Sequence, residues 1–432
     1  MGKLHPHSLI HAYPVGMPKS SLFYSSPLLG ATMIVAGTTI GAGMLALPII
    51  SYGLGFPLLI ALLLLCWVFM AFAATLTLDV NLATGTGNSL FVMARKTLGR
   101  PGRFICLLAT SFLFYALLAA YIAGGGEQIA AYISAYSYTA NHSPGFFSTS
   151  GWAMCLFVLI FGTIASIGAH NVDACNRLLF FCMLATFLIS LVLLAPDVQL
   201  SNLYGGALNK GNPYEGSAED HTLVAALAVL PVIFTSFGYH GSIPSLIAYA
   251  NANRPQLQKV FIFGSLLPLV LYLLWLGVTL GQLDNETLAI IAREGSVASL
   301  IEQLVNLQPN DTLPISSVIH IFTNLALVTS FLGVGLGFFD FIHSVIGSHS
   351  RALTAVAVFT PPLLIALYLP GAFVTALSFA ALALAVLAIL LPAAMALKLR
   401  KEGKIKALPA GLWFWPTVSF GILIVVLSLI YS

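Results

Sequence analysis

Charged side chains are scarce in this sequence. Its 17 Lys and Arg and 14 Asp and Glu make up 7% of 432 residues, whereas soluble globular proteins carry about 25%. Hydrophobic residues make up 59%, and the mean hydropathy is +0.97. A water-soluble fold cannot cover so much apolar surface with so little charge. The composition therefore excludes a soluble enzyme or nucleic-acid-binding protein and predicts a membrane protein.

Motifs that carry chemistry are also few. The five cysteines form no CxxC pair and have no His or acidic cluster beside them; they are Cys66, Cys106, Cys155, Cys175 and Cys182. No P-loop is present, and GVGLG at 333–337 follows no strand, so it is interpreted as a packing motif. A membrane-embedded enzyme would need clustered His, Asp or Glu within the apolar runs. We therefore expect no enzymatic activity, no metal and no cofactor.

Long apolar runs fill most of the chain. They are unbroken rather than alternating, which favours membrane-spanning helices over a barrel. The eleven runs cover 26–50, 56–80, 104–124, 152–169, 176–195, 222–249, 259–280, 316–340, 352–369, 371–395 and 410–430. The opening residues MGKLHPHSLIHAYPVGMPKS lack the pattern of a cleaved signal peptide. The predicted organisation is a cytoplasmic N-terminal segment over 1–25, a transmembrane core over 26–395, and a cytoplasmic basic loop with the eleventh helix over 396–432.

Lys and Arg are distributed very unevenly between the loops. One set of alternating loops holds all of them except Lys210 and Arg293. The positive-inside rule places that set in the cytoplasm. The N-terminus is then cytoplasmic, and the C-terminus, after eleven crossings of the inner (plasma) membrane, lies outside. On the outer side, VASLIEQLVNL at 297–307 predicts a short amphipathic helix that either caps a cavity or rests on the membrane surface.

Two of the apolar runs are interrupted. The first contains IVAGTTIGAGML at 34–45, and the sixth contains SFGYHGS at 236–242. Such glycines can serve close helix packing, but their spacing and the adjoining threonines favour unwound turns that line a cavity. Two broken segments in corresponding positions of two halves point to the binding site of a secondary transporter. The offset of five spans predicts inverted repeats over about 26–195 and 222–395.

The two breaks offer complementary chemistry. A half-helix beginning near Gly41 has unpaired amides and a positive dipole end, which suit a carboxylate. Carbonyls freed in the second break suit an ammonium group, so both breaks together would hold a zwitterionic amino acid. No Lys or Arg lies deep in any run, so the carboxylate would have backbone and hydroxyl partners. The predicted substrate-binding residues of the breaks are Thr38, Thr39, Gly41, Ala42, Gly43, Phe237, Gly238, Tyr239 and His240.

Four segments resemble one known family. They are GTTIGAGML at 37–45, YALLAAYIAGGGE at 115–127, PVIFTSFGYHGSIPS at 231–245 and LALVTSFLGVGLGFFDF at 325–341. They are similar to the hydroxy/aromatic amino acid permease family of the amino acid–polyamine–organocation (APC) superfamily, and to its tyrosine-specific bacterial members in particular.

The resemblance implies an all-α polytopic membrane protein with the APC/LeuT-like fold, a five-plus-five inverted repeat with broken helices 1 and 6. It also implies proton-driven uptake of an aromatic amino acid, first of all tyrosine. The alternatives are a carrier of tryptophan or of small hydroxy amino acids such as serine and threonine, and a passive channel. The implied partners are the aromatic substrate and membrane lipids, with no obligate protein partner.

Several further residues are candidates for a role near the breaks. The resemblance implies that the third span lines the cavity, so Tyr115 would contact the substrate, or else pack as a structural tyrosine. Glu127 is expected near the outer mouth, as a gate or structural residue before a coupling one. His240 would bind the substrate or carry the coupled proton, or else remain neutral and satisfy a carbonyl of its own loop.

The coupling ion stays open between a proton and sodium. Thr329 and Ser330 match the region where related transporters hold a sodium ion against the first helix. In some proton-coupled relatives a lysine of the fifth span replaces that ion, but the aligned stretch here has Met183 and no lysine. Asp340, with His343 three residues later, is interpreted either as a proton relay or as an interfacial cap.

Overall fold

The computed structural model describes residues 27–136, 148–167, 169–204, 218–307, 313–346, 350–369 and 371–431, and their regular elements are all helical. In chain order the α-helices are α1 (Pro27–Thr39), α2 (Ala42–Ile49), α3 (Phe56–Thr84), α4 (Leu90–Tyr136), α5 (Thr149–Phe157), α6 (Thr163–Ile167), α7 (Ala169–Leu194), α8 (Leu200–Leu203), α9 (Ala218–Ser236), α10 (Ile243–Ala250), α11 (Arg254–Gln282), α12 (Asn285–Glu294), α13 (Val297–Asn306), α14 (Leu313–Ile346), α15 (Arg351–Tyr368), α16 (Ala372–Ala385), α17 (Leu391–Lys401) and α18 (Phe414–Tyr431). Single π-helical turns, Val158–Gly162 and Val386–Leu390, join α5 to α6 and α16 to α17.

Ten helical segments of the described chain are long and apolar enough to cross a membrane, and the bent pair α1–α2 brings the number to as many as eleven. In chain order we number as spans 1 to 11 the segments α1–α2, α3, α4, α5–α6, α7, α9–α10, α11, α14, α15, α16–α17 and α18. The prediction of an all-helical, multi-pass membrane protein is confirmed. The inverted-repeat relation between its two halves stays a prediction.

Both predicted breaks are present. In span 1, α1 ends at Thr39 and α2 begins at Ala42, with a bend of 45° between them. In span 6, α9 ends at Ser236, a 3-10 turn follows over His240–Ser242, and α10 begins at Ile243. The glycine-rich sequences account for these interruptions, because glycine lowers the stability of a helix interior by roughly 1 kcal/mol relative to alanine.

The third span extends well beyond its predicted bounds of 104–124. The helix α4 runs from Leu90 to Tyr136, with Gly99 at φ +73° and Pro101 at a kink near its start. The left-handed backbone at Gly99 is one that glycine adopts readily. Hydropathy indicates which part of a helix lies in lipid and does not indicate where the helix ends. The basic residues at 95–103 therefore lie on α4, although the sequence predicts a loop there.

Ten of the spans pack in two groups, and α18 of span 11 contacts both, through α9 and α16. In the first group α1 packs on α10 and α11, and α3 packs on α9, α10 and α11; these helices form spans 1, 2, 6 and 7. In the second group α4 packs on α5, α14, α15 and α16, and α14 also packs on α7. The broken helices therefore belong mainly to one group, and they face the unbroken helices of the other.

An arginine ties together the ends of each group. Arg254, at the start of α11, forms two hydrogen bonds to the Asp79 carboxylate of α3, at 2.5 and 2.8 Å. Arg351, at the start of α15, donates twice to the Ser166 carbonyl of α6, from Nε at 3.0 Å, and lies 5.0 Å from the ring centroid of Phe339. We call the end of the molecule that carries these two arginines the basic end.

The predicted amphipathic helix of the 281–315 connection is present as α13. Its apolar residues are fully buried; they are Val297, Leu300, Ile301 and Leu304. They pack on the protein, since α13 contacts α2, α4 and α14. The cap interpretation therefore holds over the interpretation of a helix resting on the membrane surface.

Candidate functional site

The two breaks lie side by side at a cavity of about 480 Å³. Its walls come from spans 1, 3, 5, 6, 8 and 10. Cavities that bind small molecules typically have volumes of about 300–1,000 Å³. No Lys, Arg, Asp, Glu or His side chain lies among the residues that line this cavity in the described chain. A ligand here would therefore meet backbone groups, hydroxyls, one amide and aromatic rings.

The break in span 1 presents the amide end of a helix. The first amides of any helix lack partners within it and carry a partial positive charge. Here the amide of Ala42, the first residue of α2, donates to the Ser330 hydroxyl of α14 at 3.1 Å. A Cβ at Gly41 would lie only 2.5 Å from the same Ser330 oxygen. Glycine at this position is what allows α14 to approach the break.

The break in span 6 presents carbonyl groups. After α9 the amides of Phe237 and Gly238 turn back to the carbonyls of Phe234 and Thr235, at 3.2 and 3.0 Å. The chain therefore leaves the helical path directly after Ser236. The two breaks also touch, because the Ser236 hydroxyl lies 3.2 Å from the Gly43 carbonyl. Carbonyl ends of this kind suit an ammonium group or another hydrogen-bond donor.

The structure brings most of the predicted residues together at this cavity. Those that line it are Thr38, Thr39, Gly41, Ala42, Gly43, Gly238, Tyr239, Thr329 and Ser330. Those that lie outside its lining are Tyr115, Glu127, Phe237, His240 and Asp340. The first set consists of the backbone of the breaks and the helix that faces them. The second set contains every ionisable candidate of the sequence analysis except Tyr239.

His240 is buried beside span 2 rather than at the cavity. Its Nε2 lies 3.1 Å from the Met70 carbonyl of α3, and its ring centroid is 4.6 Å from that of Tyr239. Its Nδ1 has no hydrogen-bond partner within the described residues. The contact with Met70 fits a histidine that satisfies a backbone carbonyl, although the carbonyl belongs to span 2 and not to its own loop.

Tyr115 and Phe237 pack between helices. The Tyr115 hydroxyl donates to the Ala357 carbonyl of α15 at 2.8 Å, and its ring meets that of Phe338 edge-on at 4.7 Å. Phe237 is fully buried, with its ring 5.4 Å from that of Tyr272. The third span does line the cavity as expected, but through Leu113, Phe114, Leu117 and Tyr121.

Glu127 and Asp340 lie towards opposite ends of the molecule. The Glu127 carboxylate accepts a hydrogen bond from the Ser296 hydroxyl at 2.8 Å, at the start of α13. Asp340 is exposed near the basic end of α14. Three residues on, the His343 Nδ1 lies 3.1 Å from the Thr354 hydroxyl of α15. Glu127 therefore has a contact that fits a gate, whereas no hydrogen bond joins Asp340 to His343 among the described residues.

A thioether occupies the space beside the candidate cation region. Thr329 donates to the Leu325 carbonyl at 2.8 Å and lies 3.8 Å from the sulfur of Met183, which is fully buried. Ser330 is engaged with the Ala42 amide. Within the described residues no group of three His, Cys, Asp or Glu could hold a metal ion. A soft thioether is a poor ligand for sodium, which prefers oxygen.

Asn176, Phe180 and Tyr272 are among the residues of this region that were not found from the sequence. Asn176 and Phe180 of α7 line the cavity, and the Asn176 Oδ1 is buried with no described hydrogen-bond partner. Tyr272 of α11 is fully buried, with its hydroxyl 2.8 Å from the Thr39 carbonyl and 2.7 Å from the Ser236 carbonyl. Sequence signals for them are weak, because Tyr272 is one polar tip within the apolar run LLPLVLYLLWLGV at 266–278.

The cavity extends from the breaks towards the basic end. Its lining includes Asn176 near the start of α7 and Gly337 near the end of α14. Gly333 and Gly337, one turn apart, are exposed there. The glycines of the GVGLG motif place no side chains on that face of α14, so the motif helps to shape the cavity wall.

Comparisons with known proteins agree with this architecture. The sequence matches the model of the tryptophan/tyrosine permease family over residues 25–430. It is 35% identical over 379 residues to the tyrosine-specific transport system 1 of Haemophilus influenzae, a match that covers 86% of this chain and 88% of that protein. It is 35% identical over 380 residues to a tryptophan-specific transport protein of Pseudomonas aeruginosa, covering 87% of each.

A third relative has a different name. The chain is 31% identical over 379 residues to glutamine transporter 2 of Aliivibrio fischeri, covering 87% of this chain and 90% of that protein. All three relatives are named as transporters, none as an enzyme, and the family model spans nearly the whole chain. The resemblance seen in the sequence motifs is confirmed, and the chain belongs to the tryptophan/tyrosine permease family.

Proposed function

We propose that this protein imports an aromatic amino acid, with L-tyrosine as the first candidate, by proton symport with alternating access around the two breaks. The observation that carries the proposal is that one cavity collects the amide end of α2 and the carbonyl ends of α1 and α9. A zwitterionic amino acid has one group for each. The family supports transport of an aromatic amino acid, and its relatives divide between tyrosine and tryptophan.

The cavity lining supports an aromatic side chain. Phe114, Tyr121 and Phe180 are aromatic residues of its wall. Aromatic rings prefer offset or edge-on contacts with other rings, worth about 0.5–1.5 kcal/mol beyond the area they bury. This wall favours tyrosine, tryptophan or phenylalanine over serine and threonine. The glutamine transporter among the relatives makes a polar amide substrate the second candidate.

The shape of the cavity supports an inward-facing state. It extends to the basic end, which the distribution of Lys and Arg assigns to the cytoplasm. At the opposite end α13 covers α2, α4 and α14. With this orientation the N-terminus is cytoplasmic and the C-terminus lies outside. In this state the substrate would be released to the cytoplasm. Movement of α13 would open the path between the cavity and the outer side.

The coupled proton needs a carrier other than the residues that line the cavity. The lining of the cavity contains no carboxylate or imidazole among the described residues, so a coupled proton would be carried outside the substrate site. Glu127 and His240 are the candidates, since ionisable side chains within spans are costly and usually functional. Sodium held by Thr329 and Ser330 is the alternative. The Met183 thioether beside Thr329 disfavours it, because sodium prefers oxygen ligands.

Uptake into proteoliposomes tests this proposal. Purified protein would be reconstituted and supplied with labelled tyrosine, tryptophan, phenylalanine, glutamine or serine, with inward proton and sodium gradients imposed one at a time. We expect accumulation of tyrosine that depends on the proton gradient and competition by the other aromatic amino acids. Preference for serine or glutamine would contradict the aromatic assignment, and movement independent of any gradient would contradict symport.

A further inference from the structure

Three oxygen atoms lie close together beside the substrate cavity, and only one of them carries a hydrogen. The Tyr272 hydroxyl oxygen lies 2.8 Å from the Thr39 carbonyl oxygen and 2.7 Å from that of Ser236. Tyr272 belongs to span 7, Thr39 to span 1 and Ser236 to span 6. One phenol thus joins the two broken helices at the points where they end. We call this arrangement the oxygen cluster.

The oxygen cluster lacks a hydrogen. A phenol carries one O–H, whereas a carbonyl oxygen accepts and cannot donate. Both separations are ordinary hydrogen-bond distances, yet Tyr272 can donate fully to only one carbonyl at a time. The other pair of oxygens then faces each other without a proton between them. A buried acceptor left without a donor is destabilising.

The two carbonyls depend on outside donors because each ends a helix. Thr39 is the last residue of α1, and Ser236 is the last residue of α9. The final carbonyls of a helix have no amide partner four residues later. The chain leaves the helical path directly after each of them. Both residues also line the cavity, so a ligand there lies next to the residues that carry the two carbonyls.

We propose that Tyr272 positions the ammonium group of the substrate, which supplies the hydrogen that the oxygen cluster lacks. This inference rests on the proposed function. An ammonium group offers three donors and a positive charge, so it can serve the second carbonyl while Tyr272 serves the first. Both broken helices are satisfied together only when the amino group is present. Tyr272 thereby links occupancy of the site to the relative position of α1 and α9.

The first measurement uses the unaltered protein. Inhibition of labelled tyrosine uptake is compared for tyrosine and for 3-(4-hydroxyphenyl)propionate, which is tyrosine without its amino group. A charged hydrogen bond contributes about 1.5–3 kcal/mol, so we expect the analogue to bind about 10- to 100-fold more weakly. Equal inhibition by the two compounds would overturn the inference, because the oxygen cluster would then make no use of the amino group.

The second measurement uses Tyr272→Phe, which removes the hydroxyl and keeps the ring. We expect the KM for tyrosine to rise about tenfold, with a smaller change in kcat. We also expect the discrimination against the analogue to fall by a similar factor. A raised KM with unchanged discrimination would mean that Tyr272 is merely structural, and unchanged KM and discrimination would equally overturn the inference.

Thr279→Val provides the matched control. Thr279 lies on the same helix, is fully buried, and donates its hydroxyl to the Trp275 carbonyl at 2.8 Å. Thr279 and Trp275 lie outside the lining of the cavity. This variant should keep the discrimination of the unaltered protein even where its thermal stability falls. Loss of discrimination in Thr279→Val as well would contradict a specific role for Tyr272.

Two further outcomes separate this inference from its foundation. If the unaltered protein transports no aromatic amino acid, the proposed function fails before Tyr272 is tested. If it transports tyrosine only with sodium, and Tyr272→Phe loses the sodium requirement while keeping discrimination, the oxygen cluster holds a metal cation and the inference fails alone. If Tyr272→Phe does not fold, equal inhibition by tyrosine and the analogue in the unaltered protein would still overturn the inference.

Discussion

The breaks of spans 1 and 6 are both rich in glycine, yet the glycines have different surroundings. In span 1, a Cβ at Gly41 would lie 2.5 Å from the Ser330 hydroxyl, and one at Gly43 would lie 3.2 Å from the Ser236 Cα. In span 6, a Cβ at Gly238 would meet the Thr235 carbonyl at 3.0 Å, whereas one at Gly241 would meet nothing within 4 Å. The first break needs glycine for close approach, and the second needs it only in part.

The two breaks also differ in the helices that they contact through polar groups. The amide end of span 1 is held by a side chain of the opposite group of helices, through Ser330. The turn of span 6 has a contact within its own group, from His240 to Met70 of span 2, and a contact with the opposite group just before the turn, where the Thr235 hydroxyl donates to the Leu377 carbonyl of span 10 at 3.0 Å. Movement of one group against the other would therefore strain the span 1 break directly. Span 6 can keep the contact of His240 with Met70 during such a movement, while the Thr235–Leu377 hydrogen bond would be strained.

The largest effect is expected from Gly41→Leu. A leucine side chain cannot share the space of the Ser330 hydroxyl, so α14 and the break must separate and the amide end of α2 is displaced. We expect no measurable tyrosine uptake, with normal insertion into the membrane. Uptake assays paired with measurement of the protein level in the membrane check this. Normal transport would mean that the glycines of span 1 only pack helices.

Ser330→Ala sharpens the comparison at the same contact without adding bulk. The Ala42 amide loses its acceptor, and a buried donor left unsatisfied costs about 1–3 kcal/mol. We expect the KM for tyrosine to rise about tenfold, since the amide is then oriented only by its own helix. Ser330→Thr keeps the hydroxyl and serves as the control for recovery. An equal loss in both variants would point to packing and not to the hydrogen bond.

Glu127→Gln tests whether the contact between Glu127 of α4 and Ser296 holds α13 in place. The Ser296 hydroxyl caps α13 by accepting from the Ala298 amide at 3.1 Å and donates to the Glu127 carboxylate at 2.8 Å. Glutamine keeps an acceptor oxygen but loses the charge, and charged hydrogen bonds are the stronger ones by about 1 kcal/mol. Hydrogen exchange of 297–306 should therefore accelerate about fivefold. Unchanged exchange would show that the contact does not hold α13.

The smallest effect is expected from Gly241→Ala. The added methyl group meets nothing within 4 Å, and the backbone there does not require glycine. We expect a KM and a membrane level within about twofold of the unaltered protein. The same substitution at Gly43 is the comparison, since there the methyl group presses on Ser236. Similar losses at both positions would contradict the difference between the breaks.

Much of this architecture could be predicted because it depends on local chemistry. Apolar length marks the spans, and the glycines at 37–43 and 238–241 mark the breaks. What the sequence did not predict depends on how elements pack against one another. Tyr272 gives no periodic or motif signal within its apolar run. The sequence places His240 in the break, but it gives no signal that the imidazole contacts the Met70 carbonyl of span 2.

The most direct test of the central account is calorimetric titration of the purified protein with three compounds. They are tyrosine, tyramine, which lacks the carboxylate, and 3-(4-hydroxyphenyl)propionate, which lacks the amino group. If the amide end of span 1 and the carbonyl ends at the two breaks hold one zwitterion together, tyrosine binds at one site and each analogue binds at least about tenfold more weakly. Binding of either analogue as tight as that of tyrosine would contradict the account.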